Sequence, residues 1–144
     1  MLLGEYEHAL DDKNRLILPA RFRQSFAAGV VLARGMDGCL VVYTRDGWER
    51  FVEQRLAGLD QLSREARQMS RFVFAGASKA ELDKQGRVMV PQPLVEHAKL
   101  NREVVVAGVR DHLEIWDRAA WRTQLEEVEG SAELVAERLA AKQD

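Results

Sequence analysis

The sequence predicts an α+β, mainly β domain: one pseudo-two-fold, β-barrel-like body made of two repeated halves with helices at its periphery. Three observations predict it. A nine-residue phrase occurs twice, 72 residues apart, as Asp11-Asp12-Lys13-Asn14-Arg15-Leu16-Ile17-Leu18-Pro19 and Asp83-Lys84-Gln85-Gly86-Arg87-Val88-Met89-Val90-Pro91. Each copy is Asp-x-x-x-Arg followed by three apolar residues and proline, and repetition at a fixed spacing decides architecture before any single element does. The likeness continues on both sides: Leu10 matches Leu82, Val30-Val31-Leu32-Ala33 matches Val104-Val105-Val106-Ala107, and Leu40 to Trp48 falls on Leu113 to Trp121 with Arg45 on Arg118. The third observation is size. A half of roughly 70 residues with short strands holds a marginal core, whereas two halves that pair their sheet edges protect each other.

In chain order, Glu5 to Leu10 alternates polar and apolar residues, the period of a half-buried strand. Asp11 to Asn14 is turn chemistry, because Asp and Asn hydrogen-bond their own backbone and tolerate left-handed conformations. Asn14 and Gly86 occupy the same place in the two copies, and both residue types accept a positive φ, so that place predicts one. Arg15 to Leu18 and Arg87 to Val90 then read as return strands, giving each half a hairpin whose turn opens on Asp and closes on Arg. Pro19 and Pro91 suit the first position of the short helices Ala20–Phe26 and Pro93–Ala98. Four β-branched blocks, Val30–Arg34, Cys39–Tyr43, Val104–Val109 and Leu113–Trp116, are strands, joined by turns at Asp37-Gly38 and Asp111-His112. Thr44 or Asp46 caps a helix through Leu56 that buries Trp48, Phe51 and Val52. Asp60 opens another, with Leu62, Ala66, Met69 and Val73 on one face and Gly76 as its stop. Asp117 caps the counterpart of the first of these helices, where Trp121, Leu125 and Val128 share a face, and Gly130-Ser131 breaks it before an amphipathic terminal helix.

At 144 residues, with 47% hydrophobic and 31% charged residues, the composition is that of an ordinary globular domain. No apolar run approaches the length of a membrane span, and the first residues lack the charged and apolar regions of a secretion signal. Cys39 is the only cysteine; it cannot form an internal disulfide, which suits a reducing cytosol, and its apolar surroundings mark a buried structural thiol. The formal net charge of −2 argues against a chain coated in cations. The distribution differs from the sum: Lys13, Arg15, Arg21, Arg23, Lys79, Lys84 and Arg87 cluster near the repeated turns, while Glu126, Glu127, Glu129, Glu133, Glu137 and Asp144 crowd the tail.

Two readings compete for the repeated turn. In the structural one, Asp and Arg four residues apart form a local pair that fixes the hairpin, a contact of little energy at a surface. In the functional one, Arg15 and Arg87, with Lys13 and Lys84 beside them, reach phosphates or base edges, for which the guanidinium fork is suited. Asp11, Asn14, Asp83 and Gly86 then orient the turns. Duplication favours contact with duplex DNA, since two matching turns on a two-fold body form a paired surface. Enzyme chemistry has no carrier. His8, His97 and His112 lie in separate segments without metal-ligand spacing, His8 on a half-buried strand and the other two at the surface, and there is no glycine-rich phosphate loop or nucleophile elbow. No cofactor or metal is expected. Trp48, Trp116 and Trp121 read as core residues.

The paired Asp-x-x-x-Arg hairpins, the Gly4-Glu5-Tyr6 opening, the Gly86-Arg87-Val88-Met89-Val90-Pro91 copy and the strand Leu113-Glu114-Ile115-Trp116 together resemble the MraZ family. The resemblance covers residues 1 to about 130. It implies a bacterial transcriptional regulator built from two AbrB-like, swapped-hairpin units: residues 1–76 as the first with two helices, 77–130 as the second with one, and 131–144 as an acidic C-terminal helix or tail. It further implies a cytoplasmic, nucleoid-associated protein that assembles into a ring and binds short direct repeats of double-stranded DNA ahead of its own operon for cell division and cell-wall synthesis. The family motif falls on Asp11 and Arg15 and on Asp83 and Arg87, with Asn14 replacing the glycine of the second copy. Two other readings stand beside it: an oligomeric interaction module that does not bind DNA, and an enzyme of the double-psi-barrel type.

Overall fold

Residue separation along the chain says little about which strands meet. In the structure, a computed structural model that describes residues 1–143, β1 (Leu2–Ala9) runs antiparallel to β7 (Glu103–Arg110), with Glu5 opposite Ala107. Asp144, the last residue of the acidic tail, lies outside the described residues. β3 (Val30–Arg34) and β4 (Leu40–Thr44) form a local antiparallel pair, as do β7 and β8 (Leu113–Asp117), and β4 joins β8. β5 (Ser78–Ala80) crosses back to β3. The resulting six-stranded sheet has the order β1-β7-β8-β4-β3-β5. Exchanging each strand for its counterpart in the other half reverses that order and leaves it unchanged, so the duplication read in the sequence is a two-fold relation in space. Its axis passes through the β4–β8 pairing at Val41 opposite Glu114.

β2 (Arg15–Ile17) and β6 (Arg87–Met89) pair only with each other, Leu16 opposite Val88, in a separate two-stranded ladder. Two expectations change here. The sheet is not closed: β1 and β5 are its two ends, and each chain segment leaves its end strand for the small ladder instead of meeting the other. Nor is β1 the hairpin partner of β2. The turn between them is closed by backbone bonds from Asp11 N to Arg15 O and from Asn14 N to Asp11 O (both 3.0 Å), after which the flanking strands diverge, one to each sheet. The other half offers β1 an eight-residue ladder with β7, which a three-residue hairpin arm cannot match.

One hydrophobic core joins the two sheets. Leu16, Leu18, Val88 and Val90 from the small ladder pack with Leu32, Leu40, Val42, Val104, Val106, Leu113 and Ile115 of the large sheet. α1 (Ala20–Arg23) contributes Phe22 and α4 (Gln92–His97) Leu94 to the same core, and Phe26 follows α1. Pro19 and Pro91 stand one position earlier than expected, as the residues that flank these helices in extended conformation. Cys39 is fully buried, and burial, foremost, lifts its thiol to about 12, so it is an inert core group.

The peripheral helices refine three expectations. α2 (Arg45–Arg55) is capped by Thr44, whose hydroxyl accepts from Gly47 N at 2.9 Å, and not by Asp46. α3 (Arg64–Ala75) starts later than Asp60, at a Ser63 cap; Asp60 caps only the preceding turn, leaving Leu62 88% exposed, while Ala66 and Val73 are buried and Gly76 ends the helix. α5 (Arg118–Gln143) runs unbroken through Gly130-Ser131 for 26 residues. Ser131 Oγ donates to Glu127 O at 2.8 Å, so its hydroxyl bonds back within the helix, and one glycine costs a helix only about 1 kcal/mol relative to alanine. The Asp117 carboxylate accepts from Asn101 N and Nδ2 (3.1 and 3.2 Å), pinning the loop before β7. None of the described helices is long and apolar enough to cross a membrane.

Candidate nucleic-acid interface

The two Asp-x-x-x-Arg turns share one hydrogen-bond plan. Asp11 Oδ1 accepts from Lys13 N and Arg15 N, both at 2.9 Å, and its Oδ2 accepts from Arg15 Nε at 2.6 Å. In the second copy Asp83 Oδ1 accepts from Gln85 N and Arg87 N, both at 2.9 Å, and Oδ2 from Arg87 Nε at 2.7 Å. Asn14 and Gly86 have φ of 57° and 79°, the left-handed conformation expected at that place. Bonds to the ionised carboxylate hold it in that form. The Arg15 amide is the largest cause for Asp11, whose pKa falls to about 2, and the Arg87 amide likewise lowers that of Asp83.

The small ladder brings the turns together. Leu18 N donates to Gly86 O (2.9 Å) and Val90 N to Asn14 O (2.8 Å), so each turn is stitched to the strand of the other half. Since side chains alternate across a strand, Leu16 and Val88 face the core, and Arg15, Ile17, Arg87 and Met89 share the opposite, outward face. Arg15 and Arg87 are then diagonal neighbours, with Cα atoms roughly 8 Å apart by the ordinary spacings of a two-stranded ladder. Each guanidinium is ion-paired through Nε, which fixes the fork and leaves its Nη nitrogens outside the pair. Both side chains are about a third exposed, and Met89 is largely so.

The copies are not identical. Among the described residues the Arg15 Nη groups have no partner, whereas Arg87 Nη2 donates to Gln85 Oε1 at 2.7 Å. Lys13 and Lys84 are both exposed but occupy different turn positions, Lys13 matching Gln85 and Lys84 matching Asp12. The second turn gains a cation from elsewhere. Arg23 of α1 donates through Nε to Leu18 O (3.0 Å) and lies over Gly86, where an added Cβ would run into its guanidinium. The first turn has Gln92 in that role, its Oε1 accepting from Asn14 Nδ2 at 2.9 Å. Arg23 is a residue the repeat could not single out, since its counterpart is Val95; its place is legible only once α1 is seen against the other half's turn. Arg21 is drawn off to Tyr6 Oη at 2.7 Å.

The histidines are elsewhere. His97 and His112 are half-buried, not at the surface: His97 Nε2 lies 3.2 Å from Gly35 O, and His112 stacks on Tyr43 with Asp111 and Glu114 at its two ring nitrogens (2.7 and 3.5 Å). Burial pulls the His112 pKa down, and the bonds to Glu114 and Asp111 outweigh it, so the net shift is upward. Among the described residues no three His, Cys, Asp or Glu side chains come together as a metal site.

Comparison with known proteins agrees with the internal duplication. The family model described as "MraZ protein, putative antitoxin-like" matches twice, over residues 1–72 and 73–142. Curated proteins named Transcriptional regulator MraZ are similar over nearly the whole chain. That of Roseiflexus castenholzii is 45% identical over 140 residues, 97% of each chain, and that of Moorella thermoacetica 45% over 139, 96% of each. The Clostridium acetobutylicum protein is 46% identical over 121 residues, 84% of each.

Proposed function

Because the chain belongs to the MraZ family, whose curated relatives are named transcriptional regulators, we propose that it is a sequence-specific DNA-binding regulator that reads duplex DNA with the outward face of the β2–β6 ladder. The observation that carries this reading is the pair of Asp-held arginines, Arg15 and Arg87, diagonal on a two-stranded ribbon. A major groove about 12 Å wide admits such a ribbon, and arginine is the side chain that best reads guanine O6 and N7. Lys13, Lys84 and Arg23 flank the ribbon and supply phosphate contacts that set register without reading sequence. Asp11 and Asp83 touch the arginines, not the DNA. Asn14 and Gly86 set the turns that present them, and each half acts as an AbrB-like, swapped-hairpin unit.

One ribbon of this kind binds weakly on a chain of net charge −2. The chain therefore works as a ring of copies on short direct repeats ahead of its own cell-division and cell-wall operon, at the nucleoid. A tethered second contact raises avidity by ~10²–10⁴.

The test is retention of the purified protein on its own upstream DNA at two salt concentrations, wild type against Arg15→Ala. The expected result is salt-sensitive binding that Arg15→Ala abolishes while helix content and assembly size stay unchanged, because ~1–3 kcal/mol of lost base contact is multiplied over several subunits. Equal binding by a folded, assembled Arg15→Ala protein would refute the reading, and a salt-insensitive complex with protein alone would replace it by an interaction module.

A further inference from the structure

The β2–β6 ladder has two ends, and the two-fold relation leaves them unequal. At one end the first turn brings Arg15 directly opposite Met89; at the other the second turn brings Arg87 directly opposite Ile17. Backbone bonds join Leu18 to Gly86 and Val90 to Asn14. By the alternation of an antiparallel ladder, Arg15–Met89 and Ile17–Arg87 are then the pairs without such bonds, where Cα atoms stand about 4.5 Å apart and side chains run close together. Each arginine therefore has one apolar side chain beside it on the outward face.

Those apolar partners differ although they occupy the same place in the repeat. Ile17 is half-buried, whereas Met89 is 56% exposed. The arginines differ in the same sense. Among the described residues the Nη groups of Arg15 have no partner, while Arg87 Nη2 donates to Gln85 Oε1 at 2.7 Å. Charge divides likewise. The first turn sets Lys13 and Arg15 against Asp11 and Asp12, and the second sets Lys84, Arg87 and the overlying Arg23 against Asp83 alone. The free fork and the exposed methionine share one end of the ribbon, and the surplus of cations lies at the other.

A lone exposed apolar side chain is ordinary on a protein surface. Met89 is placed differently: it stands beside a guanidinium with free donors, on the face proposed to enter a groove. In the major groove guanine offers O6 and N7 to an arginine, and the one methyl group on any base edge is that of thymine. The unbranched, polarisable side chain of methionine adapts its shape to such a contact. We propose that Met89 is a specificity residue, which packs on the methyl of a thymine next to the guanine taken by Arg15, with no equal contact from Ile17 at the opposite end. The inference rests on the DNA-reading role proposed above and adds a base and a direction to it. A ribbon with equal ends would read a palindrome, because operator symmetry mirrors protein symmetry. This one reads its site one way round, which is what direct repeats present.

The experiment measures affinity of the full chain for its own upstream duplex, with thymine replaced by deoxyuridine at the same place in every repeat, one place at a time. The replacement removes only the methyl. For the wild type, one thymine beside a guanine is expected to lose about 4-fold in affinity for each repeat engaged, the worth of one buried methyl, and the other thymines far less. Met89→Ala alters an exposed position and should leave circular dichroism unchanged. It is expected to bind the natural duplex more weakly by the same factor and to bind the thymine and deoxyuridine forms equally; Met89→Gln should behave alike. Ile17→Ala is expected to keep the discrimination. A wild type indifferent to every replacement, a Met89→Ala protein that still prefers thymine, or a preference lost with Ile17→Ala instead would overturn the proposal and leave the DNA-reading role standing. Failure of the wild type to bind the natural duplex would refute that role, and this inference with it.

Discussion

Asp11 and Asp83 show how a carboxylate can serve a cationic surface. Each spends one oxygen on two backbone amides and the other on a guanidinium Nε, so a charge that phosphate would repel becomes the clamp that aims an arginine. The folded pKa of Asp11 lies at about 2, below its ordinary 3.8. A depressed carboxylate contributes stability above its unfolded pKa and loses it as pH falls through the folded one. An NMR titration of the Asp11 carboxyl is therefore expected to show its midpoint near 2, with the Arg15 amide resonance moving alongside; a midpoint at the ordinary value would mean the turn is not held. Gly86 makes a sharper case. Its φ of 79° disfavours any Cβ, and the space where one would sit is taken by Arg23. Gly86→Ala should lower stability by about 1–2 kcal/mol from the left-handed conformation alone, measured by urea unfolding, and displace Arg23 from the second turn. The matching Asn14→Gly should be far milder, because asparagine already accepts that conformation. The repeated turns, their positive φ and their arginines were legible because they depend on residues four apart. Arg23 was legible as one of the cations near the turns, but its seat over Gly86 was not, because that neighbour belongs to the other half of the chain.

At the scale of elements, four of the six strands of the large sheet, β3, β4, β7 and β8, could be read from β-branched blocks because a strand largely buried on both faces needs little else to mark it, whereas β5, Ser78–Ala80, carries no such signal. Their partners could not. Nothing in Glu5-Tyr6-Glu7 says that it pairs with Val105–Ala107, and the shortest-range guess, a hairpin with Arg15–Leu18, fails after one turn. Helix ends were legible at Thr44, whose hydroxyl bonds the backbone of its own helix, and at Gly76, a residue type that favours a stop, and misread where two capping residues compete, as with Asp60 and Ser63. Gly130 was misread for an energetic reason: a lone glycine weakens a helix but does not stop one unless the chain beyond it turns away. Gly130→Ala is accordingly expected to stabilise α5 by about 1 kcal/mol, since no atom lies within 4 Å of an added Cβ. Increased helix content and slower amide exchange across residues 126–134 would check it, and a loss of helix there would show that the glycine marks a functional bend.

For the whole molecule, the proposed reading makes number of contacts the lever of affinity, because the net charge is −2 and the ribbon carries few cations. DNA carrying three recognition repeats at matched spacing is expected to bind far more tightly than three times one repeat. Its log–log salt slope should steepen with repeat number as each engaged subunit releases its own counterions. Inserting about half a helical turn between repeats should undo the gain. Fluorescence anisotropy on the three duplexes decides this, and equal affinities would assign recognition to one subunit. The exchange of end strands between halves has another consequence, for the birth of the chain. β1 leaves the ribosome about a hundred residues ahead of its partner β7, which at ordinary synthesis rates of ~5–20 residues per second means roughly 5–20 s. Through that interval a nascent strand offers an unpaired edge to other nascent strands. Glu5, Glu7 and His8 interrupt its apolar residues, and charged side chains on an edge are what discourage premature pairing. The alternation that marks β1 as half-buried in the finished protein thus also keeps it soluble while it waits for its partner.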